Sequence, residues 1–373
     1  MEQFDVPVVM IVYKRLELTK RSFEPVRKLK PKKLYIIADG PRTEADKEKV
    51  TAVRDYLDTH VDWDCEIHRN YAEKNMGLRY RMPSGMQWVF ESEERAIFIE
   101  DDIDATENFF YFCRDMLEHY KDDERVLMIS GSNIFPNHES FKGEDICFSM
   151  FASIWGWACW KRSYELYDVN LRSWPEIRKN GMLKKKLTPE AYDFFRILFD
   201  DLQYHWYRTW GYQWTYLMLT GKGLGIVPRC NLISNIGMGD ADAEHKDDSQ
   251  EFIDKVSNAE RGEMTLPITY PSDVIRNEAY DLYYQKDEFI ERASLFKTIK
   301  YGFRAWYYSR VYRQIKEMER DEVYFNKYVP EKYRLSPEEQ KYNKGDRYRL
   351  VTPKEMIKSA DKYRRYKRKH HIK

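Results

Sequence analysis

Short apolar runs alternate with helical repeats over the first forty residues of the chain. The segment VPVVMIVYKR (6–15) is β-rich, and LELTKRSFEPVRKL (16–29) follows it with helical spacing. The inward positions of that helix are expected to be Leu18, Phe23, Val26 and Leu29. KLYIIADGP (33–41) indicates a second buried strand that ends in an Asp-Gly turn. The chain therefore opens with a βαβ unit.

The alternation continues to residue 99. The next predicted elements are a helix EADKEKVTAVRDYLDTH (44–60), a strand CEIHRNYA (65–72), a turn KNMGL (74–78), a helix PSGMQWVFESEE (83–94) and a strand AIFI (96–99). Continuous apolar strands alternating with helices are typical of an α/β fold with a parallel sheet covered on both faces. Ligands of such sheets collect outside the carboxyl ends of the strands. Three polar groups are expected at that edge: Tyr13-Lys14-Arg15, Asp39-Gly40 and Glu100-Asp101-Asp102.

Two later regions differ in composition. Residues 148–240 are rich in Trp and Tyr, and GLGIVPRCNLISNIGMGDADAEH (223–245) is a strand-like run that ends in a glycine-rich loop. After about residue 290, apolar residues recur at steps of three and four: Phe296, Ile299, Phe303, Tyr307, Val311 and Ile315. This spacing predicts one amphipathic helix.

Length and cysteine content narrow the protein class. A chain of 373 residues with 42% apolar residues can form one α/β domain with appendages, or two domains. The five cysteines are scattered without CxxC spacing, so neither a disulfide framework nor a zinc site is indicated, and a reducing cytosol is expected. No apolar run approaches the roughly twenty residues of a spanning helix, which predicts a soluble or peripheral protein.

Charge is distributed unevenly along the chain. Residues 341–373 hold thirteen Lys or Arg against three acids, although the net charge of the whole chain is +1. The basic end suggests an anionic surface as partner. Since no nucleic-acid-binding motif accompanies it, no nucleic acid is expected. The predicted helix after residue 290 combines an apolar stripe with basic residues, which suits either an interfacial membrane helix or docking on the rest of the protein.

The run IEDDID (99–104) places four acidic residues within five positions at the end of a predicted strand. Carboxylates crowded in this way repel one another, and a cation is the usual means of offsetting them. Mg²⁺ and Mn²⁺ prefer oxygen ligands and often share them with substrate phosphates. The alternative is a solvated loop, or a helix start stabilised by acids near its N-terminus.

The run AIFIEDDIDATENFFYFCRDMLEHY (96–120) resembles the motif of GT-A fold nucleotide-sugar glycosyltransferases, in particular bacterial surface-polysaccharide relatives of N-acetylglucosaminyltransferase I. The resemblance covers roughly residues 6–285. It implies a Rossmann-like, mixed but mainly parallel sheet flanked by helices. It also implies a metal ligand at Asp102, with Glu100 and Asp101 facing hydroxyls of the donor sugar and ribose.

Other matching segments imply further donor contacts. By resemblance, Arg15 lies near the nucleotide, Asp39 binds the nucleobase or ribose, and Asn75 and Gly77 lie beside the donor. Arg79 could neutralise the diphosphate or be a surface charge. His245 could contact the metal or the diphosphate, or be a solvated loop residue.

The general base stays open. Relatives are expected to carry an acid between the two tryptophans of a WxxQW segment, but this chain has Gly211 there. Asp240, Asp242 and the pair Asp200-Asp201 are the candidates, and geometry must choose among them. Trp155, Trp157, Trp160, Trp210 and Trp214 could line an acceptor cleft, although core packing is their commoner role.

The resemblance implies a metal-dependent glycosyltransferase that uses Mn²⁺ or Mg²⁺ and moves a sugar from a nucleotide-diphosphate donor to a glycan or lipid-linked glycan acceptor. The reaction is expected to invert the anomeric centre and to serve surface polysaccharide biosynthesis. The predicted catalytic domain covers 1–290, with a nucleotide-binding half (1–105) and an acceptor-side half (106–290), and a basic helical extension covers 291–373. The expected location is the cytoplasm, at the inner face of the cell membrane. A sugar-phosphate nucleotidyltransferase and a catalytically impaired glycan- or membrane-binding scaffold are the alternatives.

Overall fold

A mostly parallel sheet forms the centre of the first of two compact units in the computed structural model. The structure describes residues 3–203, 209–238, 260–265, 267–289, 295–337, 340, 348, 353–370 and 372. The first unit comprises Met1–Gly77, Gly85–Tyr167 and Trp214–Tyr283. Its main sheet contains β1 Val8–Val12, β2 Lys33–Ala38, β3 Glu66–Tyr71, β4 Arg95–Glu100, β6 Val126–Ser130, β7 Ile146–Ser149, β8 Trp157–Trp160 and β9 Leu224–Pro228.

The strand order of this sheet is β3-β2-β1-β4-β8-β6-β9-β7. Strands β1 to β4 pair in parallel, while β8 is antiparallel to both β4 and β6, and β7 is antiparallel to β9. A small second sheet pairs β5 (Ile103–Ala105) with β10 (Ile233–Asn235) in antiparallel register. The predicted α/β class with a mainly parallel sheet is therefore confirmed.

Twelve helices are seen in the described part of the chain. They are α1 Leu16–Leu29, α2 Glu44–His60, α3 Leu78–Phe90, α4 Glu107–His119, α5 Lys161–Glu165, α6 Trp174–Asn180, α7 Pro189–Gln203, α8 Tyr212–Leu219, α9 Glu278–Phe289, α10 Leu295–Arg320, α11 Glu322–Tyr328 and α12 Pro353–Lys369. Short 3₁₀ turns occur at Glu139–Phe141, Met182–Lys185 and Glu331–Tyr333.

The apolar pattern explains the first core. All five residues of β1 are buried, and α1 buries Phe23, Val26 and Leu29 as predicted, whereas Leu18, also expected to face inward, is only partly buried. Helix α3 differs from its prediction, because it begins at Leu78 and contains Pro83 instead of starting there. A proline inside a helix removes one backbone hydrogen bond, and packing overrides that local preference here. Of the five tryptophans considered for an acceptor cleft, Trp157, Trp160, Trp210 and Trp214 are buried.

The second unit comprises Leu78–Ser84, Asp168–Gln213 and Tyr284–Lys373. After residue 290 the chain forms the helix α10, which contacts α7, α11 and α12. Tyr307, a member of the predicted apolar stripe, is 37% exposed, and the amphipathic character of the helix stays a prediction. Val311 and Ile315 on its apolar stripe are buried in a small core. The other buried members of that core are Met318, Tyr324, Phe325, Val329, Tyr348, Met356, Ala360 and Tyr363. At these two positions the stripe is therefore already covered by the C-terminal part of the chain.

None of the helices in the described ranges has the length and apolar character needed to cross a bilayer. The assignment of 1–290 to a catalytic domain stays a prediction.

Candidate active site

Strands β1 and β4 are neighbours at the point where the strand order reverses. From β1 the chain adds β2 and β3 on one side and then returns to place β4 on the other side. Ile11 and Glu100 are partners in this parallel pair, so both strands end at the same edge. In open α/β sheets, the crevice at this switch point is where ligands bind. Two of the three polar groups expected at the sheet edge follow these two strands.

Arg15 joins the ends of β1 and β4. Its Nη2 donates to Asp101 Oδ1 and, at 2.8 Å, to Asp102 Oδ2. The backbone N–H of Tyr13 donates to Asp101 Oδ2 at 3.3 Å, and the hydroxyl of Ser22 donates to the Asp101 carbonyl at 3.2 Å. Three of the residues predicted from the sequence, Arg15, Asp101 and Asp102, are thus brought together.

Two carboxyls of the acidic cluster, which is defined as Glu100, Asp101 and Asp102, have raised pKa values. Burial raises the pKa of the Glu100 carboxyl well above its usual value, and repulsion from Asp102 and Asp101 adds to the shift. Burial also raises the pKa of Asp101, although Arg15 opposes the change. The guanidinium of Arg15 therefore offsets only part of the effect of burial on the pKa of Asp101. A raised carboxyl pKa in a cleft is a common property of functional sites.

The segment after β10 closes one side of the cluster. The backbone N–H of Ile236 donates to the Asp102 carbonyl at 2.8 Å, and that of Gly237 donates to Asn235 Oδ1 at 3.0 Å. A Cβ added to Gly237 would lie 2.5 Å from Asp102 Oδ2 and 2.7 Å from Arg15 Nη1. A side chain at this position would therefore force Asp102 or Arg15 to shift. Sequence reasoning noted the later loop but did not single out Gly237.

Asp39 organises the turn before α3. Its Oδ1 accepts from the N–H of Gly40 and of Met76, both at 2.8 Å. Its Oδ2 accepts from Asn75 Nδ2 at 3.0 Å and from the N–H of Gly77 at 2.9 Å. These four bonds use the roughly four acceptor positions of a carboxylate. In this structure Asp39 therefore holds Asn75 and Gly77 in place, and its predicted contact with the donor stays a prediction.

A second set of contacts, which sequence reasoning missed, links the ends of β1 and β2. Lys14 Nζ donates to Asp46 Oδ1 at 2.9 Å, and the backbone N–H of Thr43 donates to Asp46 Oδ2 at 3.1 Å. The backbone N–H of Arg42 donates to the Tyr13 hydroxyl at 3.3 Å. The available signal was an acid three residues after Thr43, the residue preceding α2, since helix starts favour that pattern.

The acidic cluster is better suited to a metal ion that also binds substrate phosphates than to an ion held by protein ligands alone. Within the ranges the structure describes, no three His, Cys, Asp or Glu side chains are arranged to hold a metal ion. Mg²⁺-type ions need only one or two carboxylates when phosphates supply further ligands. Asp102, whose side chain is 17% exposed, meets that requirement. Mn²⁺ or Mg²⁺ bound in this way is compatible with the residues present.

The remaining predicted site residues belong to the second unit or lie outside the described residues. Arg79 is buried in the second unit, where its Nη2 donates to the Val169 carbonyl at 2.9 Å and to Asn170 Oδ1 at 3.1 Å. Asp201 lies in α7 of the same unit. Asp240, Asp242 and His245 lie outside the described residues.

Asp200, the neighbour of Asp201, bonds two side chains of helix α6. It is 1% exposed and accepts from Trp174 Nε1 at 2.8 Å and from Arg178 Nη1 at 2.9 Å. Burial raises the pKa of its carboxyl. Both bonds end at Oδ1, whereas Oδ2 is buried without a hydrogen-bond partner among the described residues, and a role of Asp200 as general base stays a prediction.

Comparison with known proteins gives weak similarities. No family model and no curated protein matches the chain. Similar solved structures include a mannosyltransferase from Pyrobaculum calidifontis in complex with GDP-Man and Mn²⁺, at 14% identity and a TM-score of 0.32, over 53% of this chain and 61% of that one. Another is HddC from Yersinia pseudotuberculosis complexed with GMP-PN, at 9% identity and a TM-score of 0.26, over 42% of this chain and 77% of that one. Similarities this low carry no weight for function, which is inferred below from the site.

Proposed function

We propose that the protein is a metal-dependent glycosyltransferase of the GT-A type, which transfers a sugar from a nucleotide-diphosphate donor to a glycan or lipid-linked glycan. The observation that carries the proposal is the meeting of Arg15, Asp101 and Asp102 at the β1–β4 switch point. An acidic cluster at this place in an α/β sheet, with Asp101 buried and the side chain of Asp102 17% exposed, fits a divalent ion shared with a diphosphate. Surface polysaccharide biosynthesis is the proposed process.

Each residue of the edge has a proposed role. Asp102 would hold Mn²⁺ or Mg²⁺ together with the donor diphosphate, and the ion would stabilise negative charge on the departing nucleotide. Glu100 and Asp101 would face hydroxyls of the donor, and Arg15 would lie beside its phosphates. The turn that contains Asn75 and Gly77, held by Asp39, would present backbone groups to the donor.

The acceptor side requires a general base. A carboxylate must deprotonate the acceptor hydroxyl, and Asp201, Asp240 and Asp242 are the proposed bases. Arg79 and His245 are proposed to act on the diphosphate or the metal. Direct attack by the acceptor would invert the anomeric centre, and NMR of the product would test this: retained configuration would contradict it.

We also propose a peripheral contact with the inner face of an anionic membrane, in the cytoplasm. The supporting observation is the exposed basic face of α12, formed by Lys358, Lys362, Arg364, Arg365, Arg368 and Lys369. Basic residues near an anionic surface each contribute roughly 1 kcal/mol. Charge reversal at Lys362 and Arg365 should abolish sedimentation with phosphatidylglycerol vesicles and leave donor hydrolysis intact. Unchanged sedimentation would exclude this surface.

The decisive experiment is a panel of nucleotide sugars incubated with Mn²⁺ and the full chain. Release of nucleoside diphosphate is expected, and it should disappear in Asp102→Asn. Asp104→Asn is the matched control, since Asp104 lies two residues away but pairs with the more exposed Arg21 and Arg261 at 3.6 and 3.3 Å. Full activity of Asp102→Asn would overturn the proposed metal role.

The same assay separates the alternatives. Pyrophosphate release from a nucleoside triphosphate and a sugar phosphate would indicate a nucleotidyltransferase. Binding of glycan without release of any nucleotide, across the whole panel, would indicate a scaffold.

A further inference from the structure

Arg15 is a fixed internal cation within the acidic cluster. Its side chain is 18% exposed, and those of Asp101 and Asp102 are 6% and 17% exposed. Its carbonyl accepts the N–H of Thr19 at 2.9 Å in the first turn of α1, which anchors its backbone. Arg21, by contrast, is 58% exposed and lies 3.6 Å from Asp104. The two arginines belong to the same helix region but differ in how strongly they are held.

Arg15 occupies the carboxylate oxygens that a divalent ion would use. One nitrogen, Nη2, bonds both Asp101 Oδ1 and Asp102 Oδ2. On the other side Gly237 packs so closely that an added Cβ would lie 2.7 Å from Arg15 Nη1. An ion that took these two oxygens as ligands would therefore compete with Nη2 for them.

From this geometry, and resting on the proposed function, we propose that Arg15 is a built-in counter-ion that competes with the divalent ion for Asp101 and Asp102. The guanidinium of Arg15 and a divalent ion bound to the same carboxylates would repel each other strongly in a partly buried site. The free ion should then bind weakly. A nucleoside diphosphate adds negative charge, so ion and donor should bind cooperatively, each raising the affinity of the other by the same factor.

The test measures the affinity for Mn²⁺ itself. The full chain is stripped with EDTA and titrated with MnCl₂, and free Mn²⁺ is read by electron paramagnetic resonance. Arg15→Gln should bind Mn²⁺ at least about tenfold more tightly than the wild type. Arg15→Lys, which keeps the charge, should stay within about threefold of the wild type. Arg21→Gln, the matched control, should bind like the wild type because its charge is exposed and screened.

Folding of the variants is controlled in two ways. Thermal unfolding in EDTA should show Arg15→Gln less stable than the wild type, and MnCl₂ should restore more stability to the variant. If Arg15→Gln does not fold, the comparison is made between Asp101→Asn and the double variant Arg15→Gln/Asp101→Asn, in which a neutral pair replaces the ion pair. The double variant should then bind Mn²⁺ about tenfold more tightly than Asp101→Asn.

Parallel titrations with UDP and with GDP separate the two proposals. Nucleotide should tighten Mn²⁺ binding more in the wild type than in Arg15→Gln. If nucleotide tightens binding equally in both, and removing Arg15 gives no gain in Mn²⁺ affinity, the counter-ion inference is overturned while the proposed function stands. If no variant binds Mn²⁺ with or without nucleotide, both are overturned.

Discussion

The side-chain amide of Asn75 donates to Asp39 Oδ2 at 3.0 Å and so ties the end of β2 to the turn before α3. The same amide also donates to the Gly40 carbonyl at 3.0 Å. The turn that follows β3 is thereby fixed against the turn that follows β2. The loop before α3 is thereby ordered at the end of β2, where the donor is proposed to bind.

Asp39→Asn should destabilise the protein and weaken donor binding. The new amide cannot accept four hydrogen bonds, so backbone donors of the turn would lose partners at a cost of about 1–3 kcal/mol. The measurements are urea unfolding and the KM for the donor, with exposed Asp55→Asn in α2 as control. Unchanged stability and KM in Asp39→Asn would show that the turn does not depend on this carboxylate.

Gly237→Ala should damage the acidic cluster. The added Cβ would lie 2.5 Å from both Cβ and Oδ2 of Asp102, so one of the two segments must move. Overpacking of this kind costs about 1–3 kcal/mol, and Mn²⁺-dependent donor hydrolysis should fall. Gly237→Ser should be worse than Gly237→Ala in both unfolding and hydrolysis assays; full activity of both would exclude a tight contact.

Asp200→Asn should lower the free energy of unfolding by about 1–3 kcal/mol, because a neutral amide replaces the carboxylate that accepts from the buried Trp174 Nε1 and pairs with the exposed Arg178. Asp193→Asn in the same helix removes a half-exposed pair with Arg196 and should stay within about 0.5 kcal/mol of the wild type. Denaturant unfolding compares the two. Equal effects would contradict the structural role of Asp200.

Acid stability should depend on Lys14. The ammonium of Lys14 is the main cause that lowers the pKa of Asp46 to about 2. A carboxyl with a lowered folded-state pKa stabilises the fold above its unfolded-state pKa of roughly 4, and this contribution is lost as the pH falls through the folded value. Unfolding midpoints measured from pH 5 to pH 2 should therefore fall less steeply in Lys14→Met than in the wild type.

Lys20→Met is the control for that series, since Lys20 forms an exposed pair with Glu17. Its pH profile should parallel that of the wild type. A Lys14→Met profile with the wild-type slope would show that the ion pair with Asp46 contributes little to stability.

The C-terminal core should be sensitive to a single truncation. Met356 is 1% exposed and packs in the cluster with Val311 and Ile315. Met356→Ala should cost about 2–5 kcal/mol, whereas Lys358→Ala, at an exposed position of the same helix, should stay within about 0.5 kcal/mol. Denaturant unfolding of the full chain measures both, and a neutral Met356→Ala would mean that α12 is not docked.

The strands and helices of the first unit could be predicted because their buried residues form short apolar runs or recur at helical steps in the sequence. Val8–Val12 is buried at every position, as expected of a central parallel strand, and α1 carries its apolar residues at helical steps. The partners of each strand could not be predicted. The antiparallel insertion of β8 between β4 and β6 depends on contacts between segments far apart in the chain.

The candidate site could likewise be predicted only in part. Sequence patterns placed Arg15, Asp39 and Asp102 at one edge of the sheet, because strand ends can be located from apolar runs. They could not show that the Asp39 carboxylate is occupied by its own chain, nor that Arg15 sits between two aspartates. Those relationships depend on the conformation of turns, in which backbone N–H groups carry no sequence signature.

The pairing of β5 with β10 has a consequence for synthesis of the protein. Ala105 and Ile233 are register partners. The segment after β10 that packs against Asp102 is therefore synthesised more than a hundred residues after the aspartate itself. Until then the nascent chain exposes its crowded carboxylates to solvent, where water and salt screen them. Those charges are therefore desolvated only after β10 has been synthesised and has paired with β5. A chain truncated before Ile233 would lack the segment that packs against Asp102.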